Sequence, residues 1–129
     1  KSILKKNIIN MQKKKTGELF GFCCESIAII KGTSYVKRKK LKEIGINIGL
    51  LFQIVDDLID FKGDSTLVGK PTRNDEKKGK ATLVSLLGYE ETVNFAENLK
   101  KKINLQIKKY GSKANDLLDS VEFILKRDF

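Results

Sequence analysis

The chain is predicted to be all-α, and three observations predict it. Apolar residues recur at helical spacing along most of the 129 residues. Alternating β-branched runs are few, and proline occurs once. Leu, Ile and Lys dominate the composition. Hydrophobic residues make up 40%, enough for a core of ordinary density, which argues against wholesale disorder. The length suits one domain or a piece of one.

The first helix is expected over Ser2 to Gln12, where Ile3, Leu4, Ile8, Ile9 and Met11 have helical spacing. Lys13-Lys14-Lys15 follows, and Thr16 is placed to cap a second helix through Leu19, Phe20, Cys23, Cys24, Ile27 and Ile30. Gly32-Thr33-Ser34 breaks it. A longer helix is expected over about Val36 to Phe61, with Leu41, Ile44, Ile48, Leu51, Phe52, Val55 and Ile59 on its apolar side. Within it, Gly45 and Gly49 stand one turn apart and would permit close helix approach, at a cost in propensity. Lys62 to Gly79 is polar, charged and glycine-containing, so it reads as a long loop with a short turn near Ser65 to Val68. Long loops inside compact domains are often functional. Ala81 to Leu87 is a short helix. Glu90 to Tyr110 is amphipathic through Val93, Ala96, Leu99, Ile103 and Ile107, and Gly111 is placed to stop it. A last helix runs over about Ser112 to Lys126 with Leu117, Leu118, Val121, Ile124 and Leu125. No repeat, linker or second domain is visible.

The formal net charge is +10, almost all from lysine. Such a balance can serve nucleic acid, anionic lipid or polyanionic substrates. The lysines are spread along the chain, without interleaved aromatics or a recognition motif, so nucleic-acid binding is not the expectation. Much of the excess reads as solvated helical surface. No apolar run has the length of a membrane span, and no h-region follows the Lys-rich start. Cys23 and Cys24 are adjacent, and there is no histidine to help them bind zinc. They read as buried small apolar residues of a reducing cytosol, so a cytoplasmic location is expected. The first residue is Lys and the only methionine is Met11, so a truncated, processed or incomplete chain is expected.

Asp56-Asp57-Leu58-Ile59-Asp60 carries the chemistry. Three acids interrupt the apolar run from Ile48 to Phe61, and acids there are costly unless they face water, a cation or a partner. On a helix, Asp56 and Asp60 share a face, while Asp57 points about 100° away from Asp56. Paired carboxylates with lysines just downstream suit a metal–phosphate site. Mg²⁺ commonly takes one or two carboxylates, keeps several waters and completes its shell with phosphate oxygens. The competing reading is a solvated face of like charges.

The ordered blocks Phe52-Gln53-x-x-Asp56-Asp57-x-x-Asp60, Gly63-Asp64, Gly69-Lys70, Asp75 and Gly79-Lys80-x-Thr82 resemble the second aspartate-rich motif of the trans-isoprenyl diphosphate (polyprenyl) synthases. Lys15-Thr16-Gly17 resembles that family's upstream Lys-Thr motif. DDxxD alone is weakly specific, whereas five blocks in order are strongly so. The resemblance covers nearly the whole chain, is weakest in the last two helices, and is nearest in flavour to bacterial farnesyl diphosphate synthases (geranyltranstransferases). Family chains are more than twice as long. Residues 1–129 would therefore be the C-terminal part of a single polyprenyl synthase domain, its half with the first aspartate-rich motif missing. Two departures stand out: Arg73 and Asn74 replace a glycine-containing pair before Asp75, and Val84 stands where proline often follows the Lys-x-Thr element.

The resemblance implies the C-terminal helices of an isoprenoid synthase bundle, homodimeric at full length, without stable membrane insertion. It implies a Mg²⁺-dependent condensation of an allylic diphosphate with isopentenyl diphosphate, giving farnesyl diphosphate through an allylic carbocation. Asp56 and Asp60 would be metal ligands, with Asp57 and Asp75 behind them. Lys15, Lys70 and Lys80 would contact diphosphate as point charges. Thr16 and Gln53 would present oxygens to the cation, and Phe52 would line the cavity. Plainer roles compete: surface charge for the lysines, a satisfied core amide for Gln53, core packing for Phe52 and a helix cap for Asp75. A geranylgeranyl or longer-chain synthase, and a non-catalytic regulatory homologue, are the alternative functions. The chain alone is expected to be inactive.

Overall fold

The computed structural model describes residues 1–68 and 81–127, with residues 64–68 described by backbone only. Among the described residues every regular element is helical. The chain runs α1 (Ser2–Gln12), a π-helical turn (Lys13–Gly17), α2 (Glu18–Ile30), α3 (Tyr35–Val68), α4 (Leu83–Leu87), α5 (Tyr89–Lys108), a 3₁₀ turn (Gly111–Ala114) and α6 (Asn115–Leu125).

α3 is the central post. Ile44, Ile48, Leu51 and Val55 are buried as their spacing predicts, but so are Leu50, Ile54 and Leu58. Its middle is therefore covered on more than one side, which a single apolar stripe does not anticipate. Opposite it, α5 buries Ala96, Leu99, Ile103 and Ile107, and α6 adds Val121, Ile124 and Leu125. Leu83 and Val84 of α4 close one end of the same core.

α2 packs on α3 through small residues. A Cβ on Gly49 would lie 2.8 Å from the Gly17 Cα, and one on Gly45 would lie 2.8 Å from the Gly21 Cα. The two backbones are too close for any side chain at these positions, which accounts for helix-weakening glycines inside a long helix. Glu25 is buried in the same interface and pairs with Arg38 at 2.6 Å and with Lys42 at 3.6 Å. α5 ends where expected: Gly111 has φ 72°, a conformation that glycine adopts without steric cost.

Three expectations are corrected. Lys13 to Thr16 does not separate two helices, because the backbone continues through a π turn. Thr16 makes no capping bond there, since its hydroxyl is engaged across the fold (below). Lys62 to Val68 belongs to α3 rather than to a loop. The cysteines are not buried: Cys23 is exposed and Cys24 half-buried. The face of α2 that its spacing marks as apolar is only partly covered, which places Cys23 at the surface. Burial, with the Cys23 thiol adding to it, raises the Cys24 pKa above its ordinary value.

Candidate functional site

The middle of α3 alternates core and cavity. Leu51, Ile54, Val55 and Leu58 face inward, while Gln53, Asp56, Asp57 and Asp60 border a cavity of about 810 Å³. Across it stand Ile8, Gln12 and Lys15 of the first helical segment, and Ala81 and Thr82 close one end. Sequence order brings Asp56 and Asp60 to one face, and the packing of α1 against α3 gives that face a wall.

The π turn sets how Lys15 and Thr16 meet α3. Such turns insert an extra residue into a helix and recur at functional sites. Here the Thr16 hydroxyl donates to Gln53 Oε1 at 3.0 Å. That bond leaves the Gln53 Nε2 group facing Asp57, to which it donates at 3.4 Å. A second amide completes the arrangement: Gln12 Nε2 donates to the other Asp57 oxygen at 2.6 Å. Gln12 is 3% exposed and its Oε1 is buried without a partner. Both oxygens of Asp57 are thus occupied by donors from the protein, and Asp57 ties α1 to α3.

Asp56 has a different neighbour. Its Oδ1 accepts from Arg127 Nη2 at 2.6 Å, and the Arg127 guanidinium lies 4.9 Å from the centre of the Phe52 ring. Phe52 also meets Phe20 with ring centres 5.9 Å apart. Phe52 accordingly sits between α2 and the end of α6, packed on a ring and a cation, and lines a second cavity with Phe20, Asp119, Ser120, Phe123 and Ile124.

Thr82 begins α4 with a reciprocal cap. Its hydroxyl accepts from the Ser85 N–H at 3.1 Å, and its own N–H donates to the Ser85 hydroxyl at 3.0 Å. That cap holds the Thr82 end of α4 at the cavity rim. Lys70, Asp75 and Lys80 lie outside the described residues.

Gln12 and Arg127 are the residues that sequence reasoning missed. Gln12 follows Ile8 by one turn and precedes Thr16 by one turn, so a polar residue on a helix face shared with core was a usable signal. Arg127 carried none, since its partner is remote in sequence. Among the described residues no three His, Cys, Asp or Glu side chains gather as a metal cage. Mg²⁺ needs no such cage, and the carboxylates of Asp56 and Asp60 at one cavity fit an ion that completes its shell with water and phosphate.

The described residues form an all-α bundle in which the acidic face of α3 and the amide-held Asp57 meet α1. A sequence model described as polyprenyl synthetase matches residues 2–121. The chain belongs to the polyprenyl synthetase family. It is 34% identical to a dimethylallyltranstransferase of Fischerella ambigua over 88% of this chain and 33% of that protein. It is 33% identical to a geranylgeranyl diphosphate synthase of Saccharolobus solfataricus, over 96% of this chain and 36% of that one. The crystal structure of an FPP/GFPP synthase from Zymomonas mobilis superimposes with a TM-score of 0.75 at 38% identity, covering 91% of this chain and 37% of that chain. The chain thus spans about a third of the length of these relatives. No helix among the described residues is long and apolar enough to cross a membrane.

Proposed function

We propose that this chain supplies one catalytic wall of a prenyl diphosphate synthase, whose remaining wall comes from the rest of a longer domain. The reaction joins an allylic diphosphate to isopentenyl diphosphate head to tail. The allylic C–O bond breaks to release diphosphate, the isopentenyl double bond attacks the cation, and a proton leaves to the released diphosphate. No histidine is needed, and the chain has none. The observation that carries the reading is the placement of Asp56 and Asp60 on one cavity, facing Lys15.

Mg²⁺, when bound, would neutralise the departing diphosphate. Asp56 and Asp60 would hold it. Asp57 is already committed to the Gln12 and Gln53 amides, so its part is to keep the acidic helix in register with α1. Lys15 supplies a fixed positive charge at the same cavity, and lysines 70 and 80 would add theirs. Thr16 and Gln53 form a joined dipole pair whose oxygens suit a developing cation rather than proton transfer. Asp75 would sit behind the metal ligands. The full enzyme would work in the cytoplasm as a homodimer.

Farnesyl diphosphate is the product we favour, on the motif flavour. A longer product is the second reading, favoured by the 33% identity to a geranylgeranyl diphosphate synthase. The test is incorporation of labelled isopentenyl diphosphate by the protein produced from its own gene, with product length read by chromatography. Asp56→Ala is expected to lower turnover about a hundredfold or more, as loss of charge stabilisation at a leaving group does. Unchanged turnover would remove Asp56 from the site. No turnover by the unaltered protein would favour the regulatory homologue.

A further inference from the structure

The Arg127–Asp56 pair is not explained by the reading above. The carboxylate assigned to a divalent cation already holds a guanidinium at 2.6 Å. That guanidinium arrives from beyond the end of α6, two residues past Leu125. Its tether is outside the helix, so it can swing without unwinding α6. The pair is neither fully buried nor fully exposed: the side chains are 29% exposed for Arg127 and 33% for Asp56. Phe52 supports the guanidinium at 4.9 Å. Yet Arg127 Nη1 is buried with no acceptor. A buried guanidinium N–H without an acceptor leaves hydrogen-bonding capacity unused.

We propose that Arg127 is a positioning residue that holds Asp56 as a resident counter-ion and weakens its binding of a divalent cation until an anionic diphosphate takes the guanidinium over. The inference rests on Asp56 being a metal ligand. A cation seated on either Asp56 oxygen meets a positive charge already bound to the same carboxylate, and the two repel. Binding of metal alone is therefore opposed. Binding of metal together with diphosphate is not, because the anion satisfies both the cation and the freed guanidinium, whose planar fork suits phosphate oxygens. The pair thus couples metal occupancy to the presence of the phosphate-bearing substrate. Coupling of this kind is reciprocal: whatever Arg127 takes from the affinity for metal alone, diphosphate restores.

The experiment is Mn²⁺ binding to the protein produced from its own gene, followed by the loss of the free-ion paramagnetic resonance signal. It is run with Mn²⁺ alone and with Mn²⁺ plus inorganic pyrophosphate. Arg127→Gln is expected to tighten binding of Mn²⁺ alone about tenfold, since it removes a like charge from the carboxylate that would take the ion. The gain that pyrophosphate brings should shrink by a similar factor. Arg127→Lys, which keeps the charge, should return binding of Mn²⁺ alone toward the parent value. Unchanged or weaker Mn²⁺ affinity in Arg127→Gln, with Asp56→Asn still abolishing binding, would overturn the proposal while leaving the metal-site reading intact. Unchanged binding in Asp56→Asn would instead overturn the metal-site reading, and this proposal with it. Circular dichroism melts of each variant separate loss of fold from loss of binding.

Discussion

At the residue scale, the site rests on how side chains are oriented by partners far along the chain. Gln12 meets Asp57 across 45 positions, and Thr16 meets Gln53 across 37. The Asp57 carboxylate has an amide donor on each oxygen, one from α1 and one from α3, which orients it between the two helices. Replacing Gln12 by Leu removes the shorter of those two bonds and the link it makes from α1 to Asp57. The expected cost is about 1–3 kcal/mol of stability, checked by denaturant unfolding. A loss under about 0.5 kcal/mol would mean that solvent or another donor replaces Gln12 at no cost. The identity of the acids was plain from their spacing. The partner of each was not, because hydrogen bonds between remote helices leave no local pattern. Asp57 and Arg127 illustrate the two cases: the first was placed on its helix face by a 100° step, the second had no signal at all.

At the element scale, the α2–α3 contact is the most constrained part of the fold. At Gly45 and Gly49 the α3 backbone approaches Gly21 and Gly17 until no Cβ fits on either α3 glycine. Gly49→Ala would place a methyl against the Gly17 backbone, which cannot bend aside as a flexible side chain could. Against the small gain in helix propensity, the overpacking cost of about 1–3 kcal/mol wins, so the variant should melt at lower temperature. A higher melting temperature would show that the helices can part slightly without loss. The same interface carries a charge. Arg38 donates to Glu25 and holds its carboxyl below the ordinary range, a pull that outweighs burial and is helped by Lys42 and Lys39. A depressed folded pKa stabilises fully above the unfolded value and is lost as pH falls through the folded value. Stability should therefore drop on acidification below about pH 4.3, the ordinary glutamate value. Glu25→Gln should flatten that limb in thermal melts taken from about pH 6 to about pH 3. A parallel slope in both proteins would deny Glu25 this role. The glycine pair was readable from the sequence, because two glycines one turn apart in a long apolar helix have few other uses. The buried Glu25 was not, since its neutralising arginine sits on the next helix.

At the scale of the whole molecule, burial is lopsided. α3, α5 and α6 share a continuous core, but Ile3, Leu4 and Met11 of α1 and Leu19, Phe22, Ile27, Ile29 and Ile30 of α2 are exposed. Ile30 is 84% exposed. Helical spacing marked Ile3, Leu4, Met11, Leu19, Ile27 and Ile30 as core, though not Phe22 or Ile29; what is lacking is something to cover them. Exposed apolar surface on this scale marks an interaction face. The relatives are about three times as long as this chain, which supports further helices of the same domain as the covering element. The chain of 129 residues alone is accordingly expected to self-associate and to show no prenyl transfer. Size-exclusion chromatography with light scattering, beside the turnover assay, tests this. A monodisperse, active monomer would refute it.

The order of residues along the chain was enough to establish the helical class, the boundaries of most helices to within a few residues, the glycine seam and the acidic face of α3. These are local properties, set by a 3.6-residue period and by steric size, and neighbours in sequence report them. Folding alone decided that the first two helices run on through a π turn. It decided that Thr16 binds Gln53 instead of capping, that Gln12 and Gln53 claim Asp57, and that Arg127 reaches Asp56. Each depends on the distance between residues on different helices. That distance is a property of the packed core, which no stretch of sequence encodes separately.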